Sequence, residues 1–523
     1  MRRNKHKQED MSRRDFMWKG GCASLGIASM ASTIWDLRFM NAALATTSGP
    51  ITDYKALVCV FLFGGNDANN VLIPTDPATY NNIYVPQRGG VYSQTSNTTS
   101  LAISPAGTVF TPTAGASFNI GVLPITPLVS DGHTYGLHPS MTELQGLFTA
   151  GKMAMLANVG TLVYPLNRTQ YMNNTVPKPY QLFSHNDQQV QWQTSVSDKP
   201  STTGWGGRSA DSINDAANGT AAVSMSVSLG GQNTFEVGSA VSEYSISSNG
   251  APGPVSNFGS GANSQLQALN DLIGYRVGDA GYTAQYSISN MHSNLYEQSY
   301  STTTRNGIAN AVAVSAVINA MPGLDPAFAT FNTLYGGSNS LSGLAQQLRG
   351  VIRMIKGAQT TFFQKRQIFF VQTGGFDLHT NEGGAIGAHA NLLRDVSRAL
   401  KGFYDATVVL GLATNVTAFT VSDFSRTFPM NGGFGADHGW GNHQMIVGGA
   451  VNGQKIYGQF TDLVVSSGTT VGQFDTGTGR WIPTTSCDEY FACLARWYGV
   501  STTDIASTIL PNIGHFANNL NFV

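Results

Sequence analysis

The chain has 523 residues, with 29 Lys and Arg against 30 Asp and Glu, and charged residues make up only 11% of it. That near-neutral balance excludes a nucleic-acid binder driven by phosphate contacts. The length is ample for a buried core, either as several domains or as one large α/β core with insertions.

Residues 12–21 read SRRDFMWKGG. The pair Arg13 and Arg14, followed by Asp15, Phe16, Met17, Trp18 and Lys19, matches the twin-arginine export pattern, a receptor-read address that lies outside the fold. The apolar run over residues 20–35 is shorter than the ~20 residues that span a bilayer, so no stable membrane anchor is expected. Ala43-Leu44-Ala45 supplies a small-x-small cleavage site before Thr46. Residues 1–45 are therefore expected to be a signal peptide handled by the twin-arginine translocation machinery. Residues 46–523 are expected to form a single domain with net charge of about −5, periplasmic or secreted.

Four apolar runs predict buried strands at residues 56–63, 153–159, 367–372 and 416–421. Leu341, Leu344, Leu348, Val351, Ile352 and Ile355 share one helical face, and Leu392, Leu393, Val396, Leu400 and Phe403 share another. Strand, helix and strand over residues 367–421 form a βαβ unit, which predicts an α/β fold with a central, mostly parallel sheet and helices on both faces. Residues 75–135 and 210–340, rich in Gly, Ser, Thr and Asn, read as polar loop and helical insertions that line or cover a cleft. Cys59 is expected to be a buried thiol, and Cys487 with Cys493 to be thiols or a disulfide.

Three of these strands run into an acidic residue: Gly64-Gly65-Asn66-Asp67 after the first, Gly374-Gly375-Phe376-Asp377-Leu378-His379 after the third, and Ser422-Asp423 after the fourth. Ligand clefts in open α/β sheets lie beyond the carboxyl ends of the strands, so these carboxylates are expected to converge. Four of the ten histidines, His379, His389, His438 and His443, fall within residues 377–443. Asp437, His438 and His443 sit in a glycine-rich loop of the kind that carries ligands. Carboxylate oxygen with imidazole nitrogen suits a divalent metal ion, Zn or Mn with the nitrogens and Mg or Ca with the oxygens alone. His389, at the start of a helix, is expected at the surface or in a cap, and His185 is equally readable as a loop residue or a site neighbour.

The segments at residues 61–74, 135–160, 184–187, 204–208, 373–379, 416–427 and 436–451 together resemble a large bacterial family of exported proteins of unknown function placed in the alkaline phosphatase/sulfatase superfamily. The resemblance runs in order from residue 56 to about 515 and implies an alkaline phosphatase-like fold with a two-metal site. By that similarity Asp67, Asp377, His379, Asp423, Asp437, His438 and His443 supply metal ligands, Ser184 the nucleophile, and Arg426 or Arg208 an anion clamp. Two departures stand out: Phe424 follows Asp423 where alkaline phosphatases place a His, and no Cys has the context a formylglycine sulfatase needs. The implied function is an exported metal-dependent hydrolase acting on a small-molecule or polymer anionic ester, phosphate or related. The alternative is a non-catalytic, metal-stabilised envelope protein that binds a glycan, lipid headgroup or protein.

Overall fold

The computed structural model describes residues 51–523 apart from 220, 222, 248–264, 278, 280, 281 and 518. The expected export signal, and part of the second insertion, lie outside the described residues. Nine strands form the main sheet: β1 (Lys55–Leu62), β2 (Met153–Gly160), β3 (Ser226–Ser228), β4 (Tyr244–Ser245), β5 (Arg366–Thr373), β6 (Val416–Ser422), β7 (Asn442–Gly448), β8 (Ile456–Gly458) and β9 (Thr485–Ser486). Their order is β8-β2-β7-β6-β1-β5-β3-β4, with β9 also paired to β2. Every pairing is parallel except those of β7, which runs against both β6 and β2.

The principal helices are α1 (Thr142–Thr149), α2 (His185–Thr194), α3 (Trp205–Asn218), α4 (Leu295–Ala320), α5 (Gly343–Gly357), α6 (Ala388–Val409) and α7 (Cys487–Tyr498). Because successive side chains of a strand point to opposite faces, β1 divides the core. Ala56, Val58, Val60 and Leu62 pack with Leu348 and Ile352 of α5 and with Val396 and Leu400 of α6. The other face is aromatic: Trp205 of α3 stacks on Phe491 of α7 with centroids 4.5 Å apart, and Phe419 of β6 meets Tyr490 edge-on at 6.0 Å. Burial on both sides explains why β1, β5 and β6 read as nearly continuous apolar runs.

Local chemistry sets the helix starts. Ser342 caps α5 by accepting from the Ala345 N–H, and Ser486 with Glu489 forms a capping box at α7. Cys59, Cys487 and Cys493 are all buried free thiols, so the disulfide reading of the pair does not hold. A small antiparallel sheet ties the first insertion down, pairing its Leu123–Ile125 with Tyr135–Leu137 at its end and that strand with Leu72–Pro74 just before its start. No helix among the described residues is long and apolar enough to cross a membrane.

Strand register decides where the chemistry gathers. Leu62, the last residue of β1, stands opposite Thr373 of β5 and Ser422 of β6, so the segments that follow these three strands leave from one rim. The antiparallel β7 begins at that same rim, which brings in the loop that precedes it.

Candidate metal centre

Asp377 and His379 arrive on the loop after β5, Asp423 directly after β6, Asp437 and His438 on the loop before β7, and His185 on the first turn of α2. Close backbone packing makes this possible. Gly64 has φ of +112°, and a Cβ there would stand 2.5 Å from the Asp377 amide nitrogen, so only glycine fits. A Cβ on Gly435 would lie 2.4 Å from the Leu378 carbonyl oxygen, the same constraint on the other side of the loop.

The Nε2 atoms of His185 and His379 both face that of His438. His438 Nε2 lies 3.0 Å from His185 Nε2 and 2.9 Å from His379 Nε2. Asp377 Oδ1 stands 3.1 Å from His379 Nε2, 3.5 Å from His185 Nε2 and 3.7 Å from His438 Nε2. The opposite ring nitrogens set the tautomers. His185 Nδ1 faces Asp423 Oδ2 at 2.6 Å, His379 Nδ1 faces Asp437 Oδ1 at 3.2 Å, and His438 Nδ1 faces the Phe183 carbonyl at 2.8 Å.

Each of those partners is an acceptor, so each Nδ1 carries the hydrogen and each neutral Nε2 presents a lone pair. Three lone pairs and a carboxylate oxygen therefore crowd together; Arg426 answers Asp377 Oδ1 and His379 Nε2 and leaves the lone pairs of His185 and His438 facing each other, 3.0 Å apart, where a cation would relieve them. Two nitrogens on a tetrahedral ion with bonds of about 2.0–2.1 Å are roughly 3.3 Å apart, so small shifts of the rings seat one. The donor set fits a divalent metal ion, with Asp423, Asp437 and the Phe183 carbonyl as the outer supports that orient the imidazoles.

The surroundings grade from dry to open. Asp423 is fully buried and also accepts from Gln189 Nε2 at 2.9 Å and from the Gly64 N–H at 3.3 Å. Phe424 lays its ring against His185 and His438, both at 4.7 Å between centroids. The ring forms an apolar floor behind the two imidazoles. Asp377 and His379 are about half exposed, which leaves the front of the centre accessible. Phe183 holds a positive φ of 70°, strain spent on aiming its carbonyl at His438.

Burial works against ionisation of Asp377, but the hydrogen bond and charge of Arg426 outweigh it and hold its pKa below the usual carboxylate value. Asp437 is likewise held low: burial opposes, and hydrogen bonds from Asn431 and His379 prevail. Burial lowers the His438 pKa, which favours the neutral ring.

Other residues singled out in the sequence take different positions. Arg426 is 1% exposed and donates to the carbonyls of Gly64, Gly65, Phe376 and Ala436, to Asp377 Oδ1 at 2.6 Å, and toward His379 Nε2 at 3.4 Å. It knits the three loops together and has no donor to spare for a substrate anion. Arg208 is similarly spent on the carbonyls of Thr194, Thr203 and Ile509. Ser184 Oγ donates to Asp187 Oδ2 at 2.6 Å. His443 faces away, its Nδ1 accepting from the Asn158 N–H at 3.0 Å and its ring stacked on Phe460; burial holds its pKa down to about 4.

Asp67 belongs to a second, buried cluster. Its carboxylate pairs with Arg88 and caps the short turn that follows, accepting from the Asn69 N–H at 3.1 Å. Burial opposes its charge, but Arg88 and then His389 hold its pKa low; burial and the Asp67 charge push Glu382 well above its ordinary range, which favours its protonated form. His389 is 1% exposed and donates from Nε2 to Asn66 Oδ1 at 2.9 Å, not the surface or capping residue its position suggested. The carboxylate tips thus separate: Asp377 and Asp423 converge through His185, while Arg88, from the first polar insertion, draws Asp67 aside.

His185 was the residue hardest to assign from sequence. A signal was present in Gln189 four positions on, the spacing that puts both side chains on one helical face and here on the same Asp423 oxygen. Taken together, fold and site define an α/β protein with helices on both sides of a mostly parallel sheet and a cluster of imidazole and carboxylate groups at its carboxyl rim. A family model described as "Protein of unknown function (DUF1501)" matches residues 355–501, the stretch that carries Asp377, His379, Asp423, Asp437 and His438. No curated protein matches the chain.

Proposed function

We propose that the protein is an exported metal-dependent hydrolase of phosphate or related anionic esters, built on one divalent ion held by His185, His379, His438 and Asp377. The observation that carries the reading is the convergence of His185 Nε2, His438 Nε2 and Asp377 Oδ1 within 4.8 Å of one another, with His379 Nε2 2.9 Å from His438 Nε2 and each imidazole facing an acceptor on its far side. A nitrogen-rich donor set favours Zn or Mn. Such an ion supplies Lewis-acid polarisation of an ester oxygen and activation of water at neutral pH.

The chain's own residues account for the rest. Asp423, Asp437 and the Phe183 carbonyl orient the rings, Arg426 positions Asp377, Phe424 excludes water from behind, and the half-exposed face of Asp377 and His379 admits substrate. Asp67 lies with Arg88, which argues for a one-ion centre in place of the two-ion site that resemblance to the alkaline phosphatase/sulfatase superfamily implies. That resemblance supports anionic esters as the substrate class, and the segment at residues 12–19 supports twin-arginine export. One observation favours the second reading, a non-catalytic, metal-stabilised envelope binding protein: Arg426 and Ser184 have no free donor facing a substrate.

Metal analysis of the purified protein, paired with hydrolysis of aryl phosphate and aryl sulfate, tests the reading. About one ion per chain is expected, with turnover abolished by chelation, restored by Zn or Mn, and lowered at least ~100-fold by His379→Ala. Turnover that survives in metal-free protein refutes the centre, and one tightly held ion with no turnover supports the envelope reading.

A further inference from the structure

Away from the metal centre, a cleft of about 720 Å³ opens between the first turns of α6 and the start of α1, and no proposed ligand lines it. That volume is in the range of small-molecule sites. Its wall carries Arg394 and Arg398, one turn apart on α6, with Asn391 beside them. Arg394 donates to Asn391 Oδ1 at 2.9 Å, and no described carboxylate forms an ion pair with it. Arg398 has only Glu143, at 3.8 Å, and its buried Nε has no hydrogen-bond partner.

Glu143 is itself engaged, since one of its oxygens accepts from Ser397 Oγ at 2.7 Å. Two guanidiniums face the cleft against a single carboxylate, leaving an excess of positive charge. Burial and then the Arg398 charge lower the Arg394 pKa, and the Glu143 charge that opposes them does not outweigh them. Side chains that repel one another in this way are stabilised when an anion bridges them, and the planar guanidinium matches the oxygens of phosphate or sulfate two at a time. At the rim, Phe118 is 43% exposed and Ile386 37% exposed, apolar surface beside the charged wall.

We propose that this cleft binds a phosphate- or sulfate-bearing ligand, its oxyanion on Arg394 and Arg398 and its apolar or ring body against Phe118 and Ile386. The site is separate from the metal centre and stands whether or not the centre is catalytic.

Calorimetric titration of the full-length protein with naphthalene sulfonate, which the metal centre cannot hydrolyse, provides the test, with inorganic phosphate and uncharged naphthalene methanol alongside. Saturable sulfonate binding is expected, tighter than that of phosphate, absent for the alcohol, and weakened by salt. Arg394→Gln and Arg398→Gln should each weaken it about tenfold or more, and Arg394→Lys less, because charge is kept and the fork lost. His379→Ala should leave it unchanged, and unfolding midpoints show that the variants fold. No saturable binding overturns the proposal, as does binding that survives both glutamine substitutions or is lost in His379→Ala.

Discussion

Asp423 is the residue on which the proposed centre can be tested most sharply, because it would act on a bound ion only through His185. Its carboxylate accepts from His185 Nδ1 at 2.6 Å, from Gln189 Nε2 at 2.9 Å and from the Gly64 N–H at 3.3 Å, and it is fully buried. Asp423→Asn keeps the shape but removes the charge behind His185 and replaces one oxygen with a donor. If the new amide takes the Oδ2 position it opposes both His185 Nδ1 and Gln189 Nε2, so the ring takes the other tautomer and turns an N–H into the centre while Gln189 loses its acceptor in a dry site, at about 1–3 kcal/mol. If it takes the Oδ1 position it faces only the Gly64 N–H, which can still donate to Oδ2, and His185 keeps its acceptor but loses the carboxylate charge.

Loss of such an outer support typically lowers metal affinity by about 10–100-fold, or about 1.4–2.7 kcal/mol. Competition against a chromophoric chelator, with wild type, Asp423→Asn and His379→Ala side by side, measures it. His379→Ala should be the more severe, since it removes a ligand outright. The reasoning is refuted if Asp423→Asn binds Zn within twofold of wild type while remaining folded, because His185 then needs no carboxylate behind it.

Two further outcomes bear on stability. Arg88→Met should destabilise the protein by about 3–5 kcal/mol by stranding the buried Asp67 charge, yet leave metal stoichiometry of the folded protein unchanged, as denaturant unfolding with metal analysis will show; a parallel loss of metal would tie Asp67 to the centre. Burial pushes Asp488 up to about 7, above an unfolded value near 3.8, and one of its oxygens has no hydrogen-bond partner. Between those values the folded state holds the extra proton, so this group makes stability fall as pH rises from about 4 to 7, by roughly 4 kcal/mol in full. Asp488→Asn should flatten that part of the pH–stability curve, and an unchanged slope would show that Asp488 is charged in the fold.

The apolar runs of β1, β2, β5 and β6 and the spacing of Leu344, Leu348, Val351 and Ile352 were legible along the chain because burial on both faces leaves a continuous signature. Strand β7 was not predicted: its Asn-His-Gln start interrupts the apolar pattern, and its antiparallel direction follows from pairing with distant β6 and β2. The small strands β3, β4, β8 and β9 are too short to carry a period.

By itself the sequence determined that acidic and imidazole groups follow the ends of parallel strands, since that is a matter of local order along the chain. Only tertiary structure decided which of them meet. Register across β1, β5 and β6 brought Asp377 and Asp423 to one rim, α2 contributed His185 from far away in the chain, and Arg88 took Asp67 out of reach. A charged side chain goes to whichever opposite partner the folded backbone places within a few ångströms, and that choice is made by long-range packing that residue spacing does not encode.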